Sequence, residues 1–106
     1  MTKYGNRKIE IDGYLFDSHA EARRYQELTL LEKCGDIADL EIHPKYKIVV
    51  NQKTICTYSA DFRYRMLSGD GRHITEDVKG VKTAVYQLKK RLMLACYGIE
   101  ISEVTA

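Results

Sequence analysis

The chain lacks several features that would place it in a well-defined class. Its three cysteines, Cys34, Cys56 and Cys96, lie far apart and form no CxxC pair, so neither a disulfide framework nor a structural zinc site is expected. No apolar run approaches the roughly 20 residues that a membrane helix needs, and the first residues, MTKYGNRK, lack the apolar stretch of a signal peptide. These absences predict a cytoplasmic protein without a membrane partner.

The chain also has little excess charge. A net charge of +2 and a pI near 8.4 are too small to imply nucleic-acid binding by themselves. There is no zinc finger, internal repeat, linker or low-complexity segment. A hydrophobic content of 44% and a charged content of 30% are typical of a globular domain. We therefore expect one domain over residues 1–106, with a modest core.

Alternation and turn residues predict the order of the elements. Residues 8–16 alternate around Asp12-Gly13, which favours a β-hairpin. A helix follows from Ser18 to Gly35, and residues 36–44 are interpreted as a connector. The remaining elements are strands at 45–50 and 54–64 around a turn at Asn51-Gln52, a strand at 72–79, a helix at 83–97 and a strand at 99–104.

The second helix has two chemically different sides. Val85, Leu88, Leu92 and either Ala95 or Cys96 fall on one face at helical spacing, as in a helix that packs on a core. Three basic residues lie on or beside the opposite face: Lys89, Lys90 and Arg91. A phosphate-binding surface and an ordinary solvated helix face are equally compatible with this basic run.

Acidic residues interrupt two apolar strands in a suggestive way. Asp61 lies in YSADFRY, and Asp77 and Lys79 lie in ITEDVKG. Side chains alternate along a strand, so Asp77 and Lys79 share one face and Glu76 lies on the other. If the strands pair, Asp61 lies beside them, and a divalent cation is the usual relief for neighbouring carboxylates. With a lysine to stabilise charge on a phosphate, the pattern indicates metal-dependent phosphodiester hydrolysis.

Structural roles compete with that interpretation. Asp61 and Asp77 would also suit ion pairs on a half-exposed sheet, although strands disfavour aspartate. Lys79 would also suit an edge strand, where lysine discourages aggregation. The three histidines, His19, His43 and His73, are more typical of surface or helix-end residues than of catalytic groups.

The segments FDSHAEARRYQELTLLEKCGDIADLEIHPKYKI, YSADFRY, EDVKG and YQLKKRLMLACYGIEI cover nearly the whole chain. In this order they resemble the PD-(D/E)XK nuclease superfamily, especially the small phage-type endonucleases of the DUF1064 family, which are related to Holliday-junction resolvases. The resemblance implies an α/β fold with a mixed central β-sheet flanked by helices, an αβββαβ restriction-endonuclease-like core. Here an N-terminal β-hairpin precedes that core. It also implies a phage or prophage origin in a bacterial host cell.

The resemblance implies a catalytic set. Asp61 and Asp77 would bind Mg²⁺ or Mn²⁺ together with the main-chain carbonyl of Val78. Lys79 would position the attacking water and stabilise charge in the transition state. Two positions depart from the family pattern, because Ala60 replaces a proline and the acid at Asp77 is shorter than the usual glutamate.

Glu21 occupies the position at which many members carry a further metal ligand on the first helix. Ser18 and Glu21 also have the spacing of a capping box, in which the glutamate bonds back to the Ser18 amide. Capping alone would explain Glu21 without any chemistry. Both roles remain open from the sequence.

The expected partner is DNA, held through phosphate contacts that carry no sequence information. The candidate contacts are Lys82, Gln87, Lys89, Lys90 and Arg91. Gln87 is included because the resemblance implies a polar residue facing the site on this helix, as related nucleases often have. No recognition helix is evident.

The sequence thus predicts a Mg²⁺- or Mn²⁺-dependent endodeoxyribonuclease without an organic cofactor. The relationship to resolvases implies branched or junction DNA as substrate, and symmetric junction cleavage needs two active sites, so a homodimer is expected. The alternatives are a catalytically inactive nucleic-acid-binding or phage structural module with the same fold, and an enzyme that cuts RNA or a specific duplex site.

Overall fold

The fold is α/β, with a mixed four-stranded sheet, two helices and an N-terminal antiparallel hairpin. A computed structural model describes residues 8–106. The first seven residues, which make up most of the N-terminal stretch MTKYGNRK, lie outside the described residues, and so does the expectation that this stretch is no signal peptide. The elements are β1 Ile9–Ile11, β2 Tyr14–Phe16, α1 His19–Lys33, β3 Ile37–Ile42, β4 Lys45–Val50, β5 Lys53–Ser59, β6 Phe62–Met66, β7 His73–Lys79, α2 Ala84–Tyr97 and β8 Ser102–Thr105.

The main sheet has the strand order β3-β6-β7-β8. β3 pairs with β6 and β6 with β7 in antiparallel fashion, whereas β7 and β8 are parallel. α2 provides the crossover connection that a parallel pair requires. The predicted α/β fold with a mixed central sheet and an N-terminal hairpin is confirmed.

Three predicted element boundaries are confirmed: the turn at Asp12-Gly13, the start of α1 at Ser18 and the end of α2 at Gly98. Each has a local cause. Asp12 (φ 53°) and Gly13 (φ 84°) form the turn between β1 and β2, where both residues need a positive φ. The Ser18 side chain caps α1 by accepting a hydrogen bond from the Glu21 amide at 3.1 Å. Gly98, at φ 69°, ends α2 in the left-handed conformation that glycine adopts without strain.

The interpretation of residues 36–44 as a connector is wrong. Ile37–Ile42 is β3, an edge strand whose pairing with β6 shifts register between Ala38 and Glu41. Asp39 has a φ of 58° within this irregular stretch. A bulge breaks the strict alternation of side chains, which is why the sequence pattern did not indicate a strand.

The single strand predicted over residues 54–64 is also wrong, because it is broken at Ala60-Asp61. The strands that pair with β5 and β6 are interrupted at the opposite point, His43-Pro44, which separates β3 from β4. The proline there has no N–H to donate to a neighbouring strand. Two backbone bonds hold the bend together: His43 N donates to Asp61 O at 2.9 Å, and Ala60 N donates to Pro44 O at 3.0 Å. Beyond the bend, β4 and β5 form a separate two-stranded sheet, here called the arm.

Two apolar clusters fill the protein, one on each side of the bend. The α1 cluster packs the first helix on the main sheet, and the α2 cluster packs the second helix on the arm. The buried members of the α1 cluster are Phe16, Ala22, Tyr25, Leu28, Ile37, Phe62, Tyr64 and Val78. Those of the α2 cluster are Ile48, Tyr58, Ala60, Tyr86, Met93 and Ile101.

The face of α2 that packs on the protein agrees only in part with the predicted one, since Leu92 packs on the α2 cluster as predicted but other members do not. Val85 and Leu88 are exposed, at 63% and 55%, whereas Tyr86 and Met93 are buried. The buried side meets the aromatic residues of the arm, and the Tyr86 hydroxyl finds a partner in Glu103 at 2.8 Å. A tyrosine can therefore occupy the buried face, which a pattern of aliphatic residues alone does not reveal.

The final strand begins later than predicted, since β8 covers Ser102–Thr105 rather than 99–104. Within residues 8–106, neither helix is long and apolar enough to cross a membrane.

Candidate functional site

Asp61 lies at the bend and is held against β7. Its backbone N donates to Glu76 O at 3.0 Å, and its Oδ2 accepts from Val78 N at 2.6 Å. Because the residue is in no strand, its side chain can turn along the sheet edge instead of alternating across it. The structure therefore places Asp61 beside β7, where the sequence pattern predicts it.

Asp77 and Lys79 share the face of β7 that looks towards the α2 cluster. Asp77 is 2% exposed and its Oδ2 accepts a hydrogen bond from the Tyr58 hydroxyl. Lys79 Nζ lies 3.6 Å from Asp77 Oδ1 and 4.3 Å from the centroid of the Tyr86 ring, in a cation–π arrangement. This placement agrees with the alternation on which the prediction was based.

Glu76 lies on the opposite face and is fully engaged there. The guanidinium of Arg24 donates to its two oxygens at 2.9 and 2.6 Å, and the Tyr64 hydroxyl donates as well. A buried carboxylate with a bidentate arginine and a tyrosine has its hydrogen-bonding capacity largely filled. Glu76 thus serves the packing of α1 on the sheet and stays out of the candidate site.

Glu21 brings a further carboxylate to Asp61 from the first turn of α1. Its amide is bonded to the Ser18 side chain, but no bond from the Ser18 amide back to the Glu21 carboxylate is present within residues 8–106. Only half of the capping box therefore forms. Instead, the Glu21 carboxylate, a His43 ring nitrogen and an Asp61 carboxylate oxygen all lie within 4.8 Å of one another.

His43 is the member of this group that the sequence did not single out. Its ring packs against Phe16 with the ring centroids 5.6 Å apart, and its φ of 55° is in the left-handed region. The sequence signal was weak: a histidine immediately before the single proline, in a stretch interpreted as a connector. Only the bend in the two paired strands brings it next to Asp61.

The Val78 carbonyl points to the same edge of β7 as Asp61. Glu76 O accepts from Asp61 N, whereas Lys79 O accepts from Ala106 N on the β8 side at 3.2 Å. Carbonyls two residues apart in a strand point the same way. The Val78 carbonyl is therefore directed past the end of β6, beside the carboxylate of Asp61.

The electrostatics of the site favour a bound cation. Burial, together with the nearby Asp77 carboxyl, raises the pKa of Asp61 well above that of an ordinary aspartate, although the Val78 amide acts in the opposite sense. Burial also raises the pKa of Glu21, with a contribution from Asp17, and burial lowers the pKa of His43. Glu21, Asp61 and Asp77 thus lie close enough for their charges to interact, and a divalent cation relieves such crowding of acids.

The donor set fits Mg²⁺ or Mn²⁺. Carboxylate and backbone carbonyl oxygens are the ligands that hard divalent cations prefer, and an imidazole suits the transition metals. Glu21, Asp61 and Asp77 supply the carboxylates, and Val78 supplies the carbonyl. The residues present can therefore hold the cation that the sequence predicts.

Four of the five predicted nucleic-acid contacts line one groove of about 500 Å³ between α2 and β8: Lys82, Gln87, Lys90 and Arg91. Lys89 does not, because its Nζ donates to Thr57 O in the arm at 3.2 Å. The Gln87 side chain donates to Lys82 O at 3.3 Å. Neither Asp61 nor Asp77 lines this groove, so the carboxylates and the basic residues form two adjoining surfaces rather than one.

Glu103 on β8 connects those two surfaces and reduces the positive charge of the groove. Its carboxylate lies 2.8 Å from Lys82 Nζ and 3.1 Å from Lys90 Nζ. It also accepts from the hydroxyl of Tyr86, the residue whose ring lies under Lys79. A chain of direct contacts therefore runs from Asp77 to the basic groove.

Comparison with known proteins places the chain in one family. The model of the family described as "Protein of unknown function (DUF1064)" matches residues 1–103, so the chain belongs to that family. A search of curated proteins found no match to the chain.

Proposed function

We propose that this member of the DUF1064 family is a metal-dependent endodeoxyribonuclease of the PD-(D/E)XK type. The observation that carries the proposal is the meeting of Glu21, Asp61 and Asp77 with Lys79 at one end of β7. Glu21 and Asp61 have ligand atoms within 4.8 Å of each other, and Asp77 raises the pKa of Asp61 from beside them. Within residues 8–106, neither Glu21 nor Asp61 forms an ion pair with a lysine or arginine. Structural acids are normally paired, as Glu76 is with Arg24.

The residues have separate roles in phosphodiester hydrolysis. Glu21, Asp61, Asp77 and the Val78 carbonyl would hold the cation. When bound, a divalent cation polarises the phosphate and lowers the pKa of a coordinated water. The Lys79 ammonium, fixed between Asp77 and the Tyr86 ring, would stabilise the negative charge that develops on the phosphate oxygens.

The groove between α2 and β8 supports DNA as the partner. Lys82, Lys90 and Arg91 would offer cations to the phosphates of DNA, and Gln87 adds a hydrogen-bonding side chain. Such contacts give affinity that depends on salt and not on base sequence. Glu103 must release Lys82 and Lys90, at least in part, before they bind phosphate.

Three finer parts of the proposal rest on the resemblance to resolvases. They are a branched or junction substrate, a homodimer that brings two sites to one junction, and action in the cytoplasm of a bacterial host on behalf of a phage or prophage. Two-fold symmetry would pair one cut on each strand.

The test is a cleavage assay on a labelled four-way junction, a plain duplex, single-stranded DNA and RNA, each with Mg²⁺, Mn²⁺ or EDTA. Asp77→Asn should lower the rate by about 100-fold or more, because losing a ligand of the cation should cost at least as much as the roughly 10- to 100-fold typical for the groups that orient such ligands. Asp39→Asn is the matched control, since Asp39 is exposed and pairs with Arg65 at the far end of β6. Circular dichroism checks that both variants fold.

The proposal fails if neither metal supports cleavage of any substrate, or if Asp77→Asn cuts as fast as the parent. Metal-independent DNA binding without cleavage would identify the inactive binding module instead. Cleavage of RNA alone would keep the chemistry and change the substrate.

A further inference from the structure

The bend between the main sheet and the arm places an imidazole beside two carboxylates. A His43 ring nitrogen and carboxylate oxygens of Glu21 and Asp61 lie within 4.8 Å of one another. Ligands bound to one cation at about 2.1 Å are at most about 4.2 Å apart. Small side-chain rotations therefore suffice to bring all three donors onto a single ion.

We propose that His43 supplies a nitrogen ligand to the divalent cation held by Glu21 and Asp61, and that the site consequently binds Mn²⁺ more tightly than Mg²⁺. The inference rests on the proposed function for the presence of a cation. It adds a ligand from the strand bend to a set that otherwise consists of oxygen donors.

His43 is fixed in place by the protein itself. Its amide donates to Asp61 O at 2.9 Å, so the two residues share one backbone hydrogen bond. Its ring rests on Phe16, which is fully buried in the α1 cluster. A ligand that is oriented before the cation arrives loses little side-chain freedom on binding, which strengthens the interaction.

The ring nitrogens of His43 are not used elsewhere. Within residues 8–106 no protein hydrogen bond to either nitrogen is present, although the side chain is half-buried. The backbone at φ 55° is also unusual for a histidine, since this region is taken mainly by glycine, asparagine and aspartate. An unusual backbone thus directs an unused imidazole at two carboxylates.

The nitrogen donor has a consequence for metal choice. Mg²⁺ takes oxygen ligands almost exclusively, whereas transition metals also accept imidazole. Asp61 is common to both parts of the site, because it faces Glu21 and His43 while its pKa responds to Asp77. Mn²⁺ should therefore gain from a ligand that Mg²⁺ leaves unused.

The test is pulsed electron paramagnetic resonance of the protein loaded with Mn²⁺, which detects directly coordinated ¹⁴N. The informative variants are His43→Asn and His43→Gly, because asparagine and glycine tolerate the positive φ and neither places a nitrogen ligand there. His73→Asn is the matched control, since His73 is an exposed histidine at the start of β7. Calorimetric titration with Mn²⁺ and Mg²⁺ gives the affinities.

We expect ¹⁴N coupling in the parent and in His73→Asn, and its loss in both His43 variants. The Mn²⁺ dissociation constant should rise about tenfold or more on removing His43, with a smaller change for Mg²⁺. Coupling that persists without His43, bound Mn²⁺ without any coupling in the parent, or no Mn²⁺ binding at all would overturn the inference. If no DNA is cut while the coupling depends on His43, the nuclease proposal fails and the ligand assignment stands.

Discussion

The two faces of β7 bury neighbouring carboxylates in very different surroundings. On the α1 face, Glu76 receives both arms of the Arg24 guanidinium and the Tyr64 hydroxyl. On the α2 face, Asp77 has the Tyr58 hydroxyl and a lysine 3.6 Å away, and it meets a further carboxyl from Asp61. The partners that each face supplies thus differ for adjacent residues of one strand, because Glu76 is paired with an arginine whereas Asp77 has a lysine and a second carboxyl beside it.

The largest expected effect on stability comes from removing the Glu76–Arg24 ion pair on the α1 face of β7. Glu76→Ala leaves the partly buried Arg24 without its main partner, so the free energy of unfolding should fall by about 3–5 kcal/mol. Glu27→Ala removes the exposed partner of the same arginine and should cost at most about 1 kcal/mol. Urea unfolding of both variants provides the comparison. Equal losses would mean that burial of the Glu76 pair carries no special weight.

The next effect probes the α2 side. Met93→Ala removes a fully buried side chain from the α2 cluster and should destabilise the protein by about 2–5 kcal/mol. Leu88→Ala, on the exposed side of the same helix, should change stability by no more than about 0.5 kcal/mol. Thermal or urea unfolding decides between the observed packing face and the one expected from aliphatic periodicity. A larger loss at Leu88 would favour the latter.

A third prediction compares the contributions of Asp77 and Glu76 to the free energy of unfolding. Without metal, Asp77→Asn should keep or slightly raise the free energy of unfolding, because it removes one of several crowded carboxylates, whereas Glu76→Gln should lower it. Added Mn²⁺ should stabilise the parent, by about 2.7 kcal/mol at a concentration 100 times the dissociation constant, and stabilise Asp77→Asn less. Melting curves with and without Mn²⁺ measure both effects. A metal-free Asp77→Asn protein that is strongly destabilised would make Asp77 a structural acid.

The smallest expected effect is a pH-dependent loss of stability on substitution of Glu103, in β8 next to β7. Hydrogen bonds from Lys82, Tyr86 and Lys90 lower the pKa of Glu103 to about 2, below the value of 4.5 that an ordinary glutamate shows. A lowered folded-state pKa gives stability that is present above pH 4.5 and is lost as the pH falls towards 2. Glu103→Gln should therefore reduce the melting temperature at pH 6 and much less near pH 2. An equal reduction at both values would point to packing instead of charge.

The parts of the fold that follow local rules could be predicted from the sequence. The Asp12-Gly13 turn, the Ser18 cap and the face shared by Asp77 and Lys79 depend only on near neighbours in the chain. β3 and the break at Ala60-Asp61 could not be predicted, because a bulge and a bend interrupt alternation. The packing face of α2 depends on the aromatic residues that the arm offers, which the helix sequence does not contain.

The candidate site likewise contains residues whose position could be predicted from the sequence and residues whose position could not. The placement of Asp77 and Lys79 follows from alternation, and that of Asp61 follows from the pairing of β6 with β7, although their chemistry stays a prediction. His43 joins them only through two strands that bend together, a long-range event with no local signature. Lys89, predicted to contact DNA with its neighbours, instead bonds the arm because α2 packs with a different side inward.

The bend at His43-Pro44 and Ala60-Asp61 also has a mechanical consequence. The arm runs from the bend to the tight turn at Asn51-Gln52, about six residue pairs and so roughly 20 Å at the usual rise of a strand. Both residues that bridge the bend to the site, His43 and Asp61, are at its base. The arm therefore starts in the candidate site and is held along its length by α2. A fluorophore at Gln52 would test whether a rearrangement of these two residues reaches the tip of the arm.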